Sequence, residues 1–482
     1  MWYDQLNEKV MWAYFESLSQ IPRESGNEEG VRQYLLAWAK EKGFEAVQDY
    51  IGNVVVYVPA TPGRENEESI CLQGHMDMVC VRTKESTHDF LTDPIEVVLD
   101  GANIRAKDTS LGADNGIAVA MIQALLDDEK FTHGPIEGLF TVNEEVGLTG
   151  AANLDPNIIK SKKLINLDSE EEGYIYIGCA GGIEIEASKA VNMKSVKPQM
   201  RAFEVVVKGL LGGHSGAEIH TQRANAIKIM ARVFNRLPSY MIYKMDGGVR
   251  RNVIPSHCEV SFVVKSKYVE VVKSLFNSVK ESIQAEYKIA DPDLDITLTE
   301  LKEVPELAVS KKQSRKWMES LYMAPCGVLR NSLVVPGVVE TSNNVAIVNF
   351  DEENLKFNCI NSTRSLVESA KEEAAYRVCA AFETNGSIVY LTDNYPSWQP
   401  DNNSVLVEDM AAAYKAFSGK DPVVTCIHAG LECGLINAKI KGMDSVSIGP
   451  NLYCVHSVNE YIDSSSAERF IGFMRYFLEN NK

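Results

Sequence analysis

Two imidazoles and three carboxylates in this sequence, His75, His456, Asp114, Glu145 and Asp168, are of types that bind a transition metal. Such a set suits zinc, or a neighbour such as cobalt or manganese, better than magnesium or calcium. No thiol joins it, which argues against a closed structural zinc site. This many carboxylates leave room for water and for two ions. In a two-metal site a shared carboxylate bridges ions about 3.5–4 Å apart, and the water between them becomes a nucleophile near neutral pH. A free carboxylate beside that water would serve as general base. Glu144 and Glu145 are adjacent acids, costly side by side unless a cation or a proton separates their roles. Asp77, two residues after His75, suits a carboxylate that orients a ligating ring. Asp114 has a competing reading as the N-cap of the helix that follows it.

The surrounding pattern predicts what must hold these groups. Ile70-Cys71-Leu72 reads as a buried strand that Gly74 stops, with His75 just beyond. Another strand, 136–142, ends on Asn143-Glu144-Glu145, and the run Leu164-Ile165-Asn166-Leu167 ends on Asp168. Asp114 sits in a glycine-bearing loop, 108–116, that leads into an apolar helix. Helices are predicted over 4–19 and 28–42, the second closed by Gly43. Alternating helices and strands imply a largely parallel α/β sheet, and in such sheets ligands gather beyond the carboxyl ends of the strands.

From about residue 185 to 398 the pattern changes. It includes a strand at Phe203–Val207, a helix from Ala226, a helix at Val269–Tyr287, strand-like Leu333–Val335 and a helix over 366–382. The region reads as a second α/β domain of two similar halves, closed by the linker 396–400. Beyond it, the short strand 445–450 and a final helix capped by Ser464 or Ser465 return to the first domain's style. The expected fold is thus α/β. A discontinuous catalytic domain, 1–184 and 399–482, has a mostly parallel central sheet flanked by helices, and 185–398 is an inserted α/β lid.

Composition narrows the class of partner. Acidic residues outnumber basic ones 66 to 48 in 482 residues, for a net charge of -18. No excess of cations exists to neutralise phosphates, so neither nucleic acid nor an anionic membrane is an expected partner. No apolar run approaches the roughly 20 residues needed to span a bilayer. The 10 cysteines form no CxxC pair, which suits reduced thiols in a cytoplasm. The glycines around His214 lack the lysine that a phosphate loop requires.

Several stretches carry a resemblance. Gly74-His75-Met76-Asp77, Gly112-Ala113-Asp114-Asn115-Gly116, Asn143-Glu144-Glu145-Val146-Gly147, Leu164-Ile165-Asn166-Leu167-Asp168 and Val455-His456-Ser457 follow the order of the metal motifs of the M20 metallopeptidases. Gly213-His214-Ser215-Gly216 and the inserted region match as well. Residues 164–173, His428-Ala429-Gly430-Leu431-Glu432-Cys433-Gly434 and the long two-halved lid resemble the aminoacyl-histidine dipeptidase branch. The likeness covers essentially the whole chain, with no departure at the metal positions.

The resemblance implies a role for each group. Asp114 bridges two divalent ions, zinc or else cobalt or manganese. His75 and Asp168 complete one site, while Glu145 and His456 complete the other. Asp77 orients His75, and Glu144 is the general base that activates the bridging water. His214 stabilises the oxyanion from the lid. Asn252 and Arg364 grip the substrate's terminal carboxylate, a task that suits the planar fork of arginine, and Gly430 approaches the substrate with its backbone. His88, His133, His220 and His257 have no expected catalytic role. The implied activity is cytoplasmic hydrolysis of unblocked dipeptides, Xaa-His among them, by a chain whose state as a homodimer is left open. Deacylation of N-acyl amino acids or aminotripeptidase activity on the same scaffold is the near alternative. A non-catalytic metal or peptide binder is the distant one, against which Glu144 speaks.

Overall fold

The computed structural model describes residues 1–401 and 403–481. Over them the chain forms two compact units: Met1–Cys179 with Trp398–Cys426 and everything from Leu431 onward, and Ala180–Ser397 with Ile427–Gly430. The chain therefore enters the second unit twice.

The first unit is built on an eight-stranded sheet. Its four central strands, Ile136–Thr141, Ile70–His75, Lys163–Asn166 and Asp444–Ser447, are mutually parallel. Val54–Val58 and Tyr174–Cys179 flank them antiparallel. Ile70–His75 and Ile136–Thr141 are buried along their whole length, as strands covered on both faces are, and the polar Gln73, Glu137 and Thr141 are enclosed with them. The helix Ala113–Leu126 buries every residue except Asp114, so a helix apolar all round lies in the core and only its metal-binding candidate looks out.

Gly74 has a different task from the predicted one. It does not stop the strand, which runs on through His75. A Cβ at residue 74 would stand 2.6 Å from Oδ1 of Asn115 and 3.0 Å from Cβ of Ala118. Glycine is there because the helix packs directly against the strand. The first helix is shorter than 4–19, spanning Lys9–Ser19. The second runs Glu29–Lys42 and ends on Gly43 in the left-handed conformation, φ 74°. The closing helix, Ser464–Asn480, is capped by Asp463 rather than by Ser464 or Ser465. Ser464 is instead engaged with the carbonyl of Ala102, 2.7 Å away.

The second unit has a nine-stranded sheet whose pairings are antiparallel. One half holds Asp295–Leu301, Met200–Lys208, Cys258–Lys265 and Met241–Gly247; the other holds Val339–Asp351, Lys356–Ser365, Gly181–Ala190 and Ile388–Tyr395. Within the sheet the halves pair at Asp246–Asn349 and Gly247–Val348, and Asn225 donates across to Oδ1 of Asn344 at 3.0 Å and to the carbonyl of Val345 at 2.9 Å. One continuous core runs under both, with Phe203, Phe234 and Phe262 packed together at one end and Trp317 against Phe357 and Phe382 at the other. Leu333–Val335 is not a strand. It lies in the turn between Gly327–Asn331 and Val339–Asp351, where Pro336 and the left-handed Gly337 bend the chain. Among the described residues no helix is long and apolar enough to cross a membrane.

Candidate metal centre

The parallel strands of the first unit deliver His75, Glu144, Glu145 and Asp168 at their carboxyl ends, where Asp114 and His456 join them from other segments. His75 ends its strand with Nε2 3.0 Å from Oδ1 of Asp114 and 3.5 Å from Oδ1 of Asp168. The other oxygen of Asp114 lies 3.0 Å from Nε2 of His456, which is itself 2.8 Å from Oε1 of Glu145. Donor atoms of His75, Asp114 and Asp168 all fall within 4.8 Å of one another, as do those of Asp114, Glu145 and His456. Asp114 belongs to both sets. A third set, His75 with Glu144 and Glu145, brings Glu144 alongside. The ring of His456 is 46% exposed against 1% for His75, so the cluster opens to solvent on the His456 side. His88, His133, His220 and His257 join no such group among the described residues.

The loop that carries Asp114 is held from both sides. The side chain of Asp114 does not cap its helix: its oxygens face His75 and His456, the backbone at Asp114 and Asn115 is non-helical, and Gly112 just before has φ 68°. A Cβ at residue 112 would meet Nη2 of Arg23 at 2.5 Å, which is why glycine stands there. Arg23 is buried and donates to the carbonyls of Met76 at 3.2 Å, Asp77 at 3.0 Å and Gly112. Glu460 accepts the N–H groups of Leu111 at 2.7 Å, Gly112 at 3.0 Å and Asp114 at 3.3 Å. Asn115 accepts the N–H of His75 at 3.2 Å and donates to the carbonyl of Leu167 at 3.1 Å. It thereby ties the His75 strand end to that of Asp168.

Asp77 organises the remaining side. Its Oδ1 stands 3.4 Å from Nδ1 of His75. The carboxylate also accepts the N–H groups of Glu144 and Glu145 at 3.0 and 3.2 Å and the hydroxyl of Ser25 at 2.7 Å. Arg23, Ser25, Asn115 and Glu460 were not among the predicted site residues. Asn115 stood inside a quoted motif, and Glu460 follows His456 by four positions. Arg23 follows an Ile-Pro pair that signals only the end of a helix.

The electrostatics are those of a cation site. Burial pushes Glu144 well above the usual carboxylate range, and Asp168, Glu145 and Glu432 add to it against His75. Burial also raises Asp168 to about 6, with His75 opposing and Asp114 and Glu145 assisting. Burial disfavours the charged imidazoles, yet Asp168, Asp114 and Asp77 hold His75 well above its ordinary value. Asp114 and Glu145 carry His456 to about 11 in the same way. Asp77 is held at about 2 despite its burial, by His75, the N–H of Glu144 and Ser25. So many enclosed carboxylates call for positive charge among them. Oδ1 of Asp168, buried without a hydrogen bond, is an oxygen left for it. Imidazole nitrogens and carboxylate oxygens without thiols fit a divalent ion of the zinc type.

His214, Asn252, Arg364 and Gly430 belong to the second unit. His214 pairs with Val253, and the N–H of Ser215 donates to the carbonyl of Asn252 at 2.8 Å, so His214 and Asn252 sit on adjoining segments. Nδ1 of His214 accepts the N–H groups of Gly216 and Ala217 at 3.2 and 3.0 Å. The neutral ring therefore carries its proton on Nε2. A Cβ on Gly216 would meet His214 at 3.0 Å and Nε of Arg364 at 3.3 Å, which places Arg364 in the same cluster. Arg364 donates from Nη1 to the hydroxyl of Tyr395 at 2.9 Å, and its Nε is buried without a hydrogen-bond partner. His428, two residues before Gly430, lies 2.7 Å from Oγ of Ser342, the residue opposite Arg364 in the sheet.

Comparison with known proteins bears on this arrangement. Residues 205–291 match the M20 peptidase dimerisation domain. The cytosol non-specific dipeptidase of Escherichia coli is 37% identical over 469 residues, which are 97% of this chain and 96% of that one. The crystal structure of an aminoacylhistidine dipeptidase from Vibrio alginolyticus superposes with a TM-score of 0.90 at 34% identity, covering 99% of both chains. An aminopeptidase from Bacillus cereus shares the fold, with a TM-score of 0.57, 17% identity and 98% of both chains covered. The chain belongs to the M20 family of metallopeptidases, beside the dipeptidases of Escherichia coli and Vibrio alginolyticus.

Proposed function

We propose that this chain is a metal-dependent dipeptidase that hydrolyses unblocked dipeptides, Xaa-His among them, in the cytoplasm. One observation carries the reading: the two oxygens of Asp114 face two different imidazoles, each at 3.0 Å, with Glu144 beside them. Two divalent ions, zinc or else cobalt or manganese, would be held by His75 and Asp168 on one side and by Glu145 and His456 on the other, with Asp114 between. When bound, such ions polarise a peptide carbonyl and lower the pKa of water. Glu144, whose burial raises its affinity for a proton, takes one from the attacking water and passes it to the leaving amine. Asp77 keeps His75 in orientation and Glu144 in reach.

In the inserted unit, the Nε2 proton of His214 supplies a donor for the developing oxyanion. Arg364 has Nε available for a substrate carboxylate, with Asn252 and the backbone of Gly430 as further substrate contacts. A clamp on the C-terminal carboxylate would count residues, because a longer peptide misplaces that group. The relatives' names support a dipeptide substrate, and the match to a dimerisation domain supports a homodimer, which light scattering would check.

The test is a substrate panel with Zn²⁺, Co²⁺ or Mn²⁺: dipeptides, tripeptides and N-acetyl amino acids. Turnover confined to dipeptides is the expected result. Preference for acetylated amino acids or tripeptides would move the assignment to a deacylase or an aminotripeptidase. No turnover at all would leave a binding protein.

A further inference from the structure

The buried carboxylate of Glu432 is neither one of the ligands nor part of the steps above. Glu432 opens the helix Glu432–Lys439 and is 0% exposed. Among the described residues no ion pair reaches it. Both of its hydrogen bonds fall on Oε2, from Nε2 of Gln73 at 2.6 Å and Oγ1 of Thr141 at 2.7 Å, while Oε1 is buried with no partner.

Its partners lie directly beneath the metal ligands. Gln73 stands two residues before His75 on one strand, hence on the same face. Thr141 ends the strand that leads to Glu144 and Glu145. Oε1 of Gln73 accepts from Nδ2 of Asn166 at 2.6 Å, two residues before Asp168, and Oδ1 of Asn166 accepts the hydroxyl of Ser447 at 2.5 Å. The register places Gln73 opposite Asn166, and Asn166 opposite Ser447. A row of buried polar side chains thus crosses the four parallel strands and ends on Glu432.

Packing alone does not call for an acid here. A neutral acceptor could take the same two hydrogen bonds without the cost of enclosing a carboxylate that forms no ion pair. What the acid adds over an amide is a group that can carry negative charge beneath a centre that binds cations; burial raises it to about 7 against the pull of His75, and a cation in the centre favours its charged form. We propose that Glu432 is a positioning residue of the metal centre. Through Gln73 and Thr141 it fixes the strand ends that present His75, Asp168 and the Glu144–Glu145 turn, and it strengthens their hold on divalent cations. The inference rests on the metallopeptidase reading of the centre, but its test needs no substrate.

The full-length protein and its Glu432→Gln variant are stripped of metal and titrated with Zn²⁺ and Mn²⁺. The amide keeps the size and one acceptor oxygen, so the thermal midpoint of the metal-free protein should stay unchanged. The metal dissociation constant should rise about 10–100-fold and kcat should fall, with KM for a dipeptide within about twofold of the parent. Glu432→Asp should recover part of the metal affinity. Unchanged metal affinity in Glu432→Gln would overturn the proposal and leave the residue a packing role. Should that variant fail to fold, Thr141→Val removes one of the two donors and carries the same expectation, with unchanged affinity again decisive against it. Failure of the parent protein to cleave any dipeptide would count against the proposed activity, while the metal titration still decides on Glu432.

Discussion

The backbone N–H of Glu144 donates to Oδ1 of Asp77 at 3.0 Å, and that same oxygen stands 3.4 Å from Nδ1 of His75. One residue therefore sets both the ring of a proposed metal ligand, through this oxygen and its own carbonyl 3.2 Å from the same Nδ1, and the position of the proposed general base. Removing the carboxylate should harm both. Asp77→Ala is expected to lower metal affinity and turnover together, each by about 10–100-fold. Glu144→Gln is expected to keep its metal and lose about 10²–10⁴ in kcat. Metal analysis alongside steady-state kinetics separates the two cases, and a Glu144→Gln protein that loses its metal would make Glu144 a ligand instead.

Arg23 and Glu460 act on opposite ends of residue 112, one on its carbonyl and the other on its N–H. Lysine cannot copy the fork that lets Arg23 reach the carbonyls of Met76, Asp77 and Gly112. Arg23→Lys should lower stability by on the order of 3 kcal/mol, because buried carbonyls lose their donors. Glu460→Gln should cost about 1–3 kcal/mol. Urea unfolding measures both. If the two residues jointly fix the Asp114 loop, the double variant should lose less than the sum; simple additivity would show that they act apart.

Of the proposed ligands, His75, Glu145 and Asp168 were legible in the sequence because each is a polar residue placed where an apolar run ends. His75, Asp168 and the Glu144–Glu145 pair announce themselves by that contrast, and the parallel strands then bring them together at their carboxyl ends. Asp114 could be read as a cap or as a ligand, and only the placement of its two oxygens against His75 and His456 separates the readings. Arg23 and Glu460 were not legible, since their partners are backbone groups far away in sequence and leave no pattern of residue types. Gly74 was misread for a related reason. A glycine that ends a strand and one that admits a helix against it look alike until the neighbouring Asn115 and Ala118 are placed. Leu333–Val335 failed because an apolar run carries no sign of whether it is buried, and Leu333 is 89% exposed.

Metal binding should be coupled to protons in a defined direction. Asp114 and Glu145 take His456 to about 11 against its burial, and three aspartates hold His75 well above its ordinary value. Without metal both rings are protonated at neutral pH, whereas a ligating imidazole must be neutral. Binding near pH 7 should therefore release protons, and affinity should rise with pH, by about tenfold per unit for each proton released. Calorimetry in buffers of different ionisation heat counts those protons. Net uptake would show that the two rings are not ligands.

His428 gives a second pH dependence, of stability rather than binding. Burial pushes it from 6.5 down to about 3, and the nearby charges of Arg364 and His214 push the same way. Between those values the unfolded chain binds a proton that the folded chain does not, so folding loses stability as pH falls. The contribution is fully present above 6.5 and is lost progressively as pH falls toward 3. At about pH 4.5 the loss should be about 2–3 kcal/mol, from roughly 1.4 kcal/mol per pH unit. His428→Gln removes the titrating group, and its amide can still meet the hydroxyl of Ser342. The variant should therefore show a shallower fall in urea-unfolding stability between about pH 6.5 and 4.5 than the parent. Equal slopes would mean that His428 is as easily protonated in the fold as in the unfolded chain, and that burial and Arg364 do not keep it neutral.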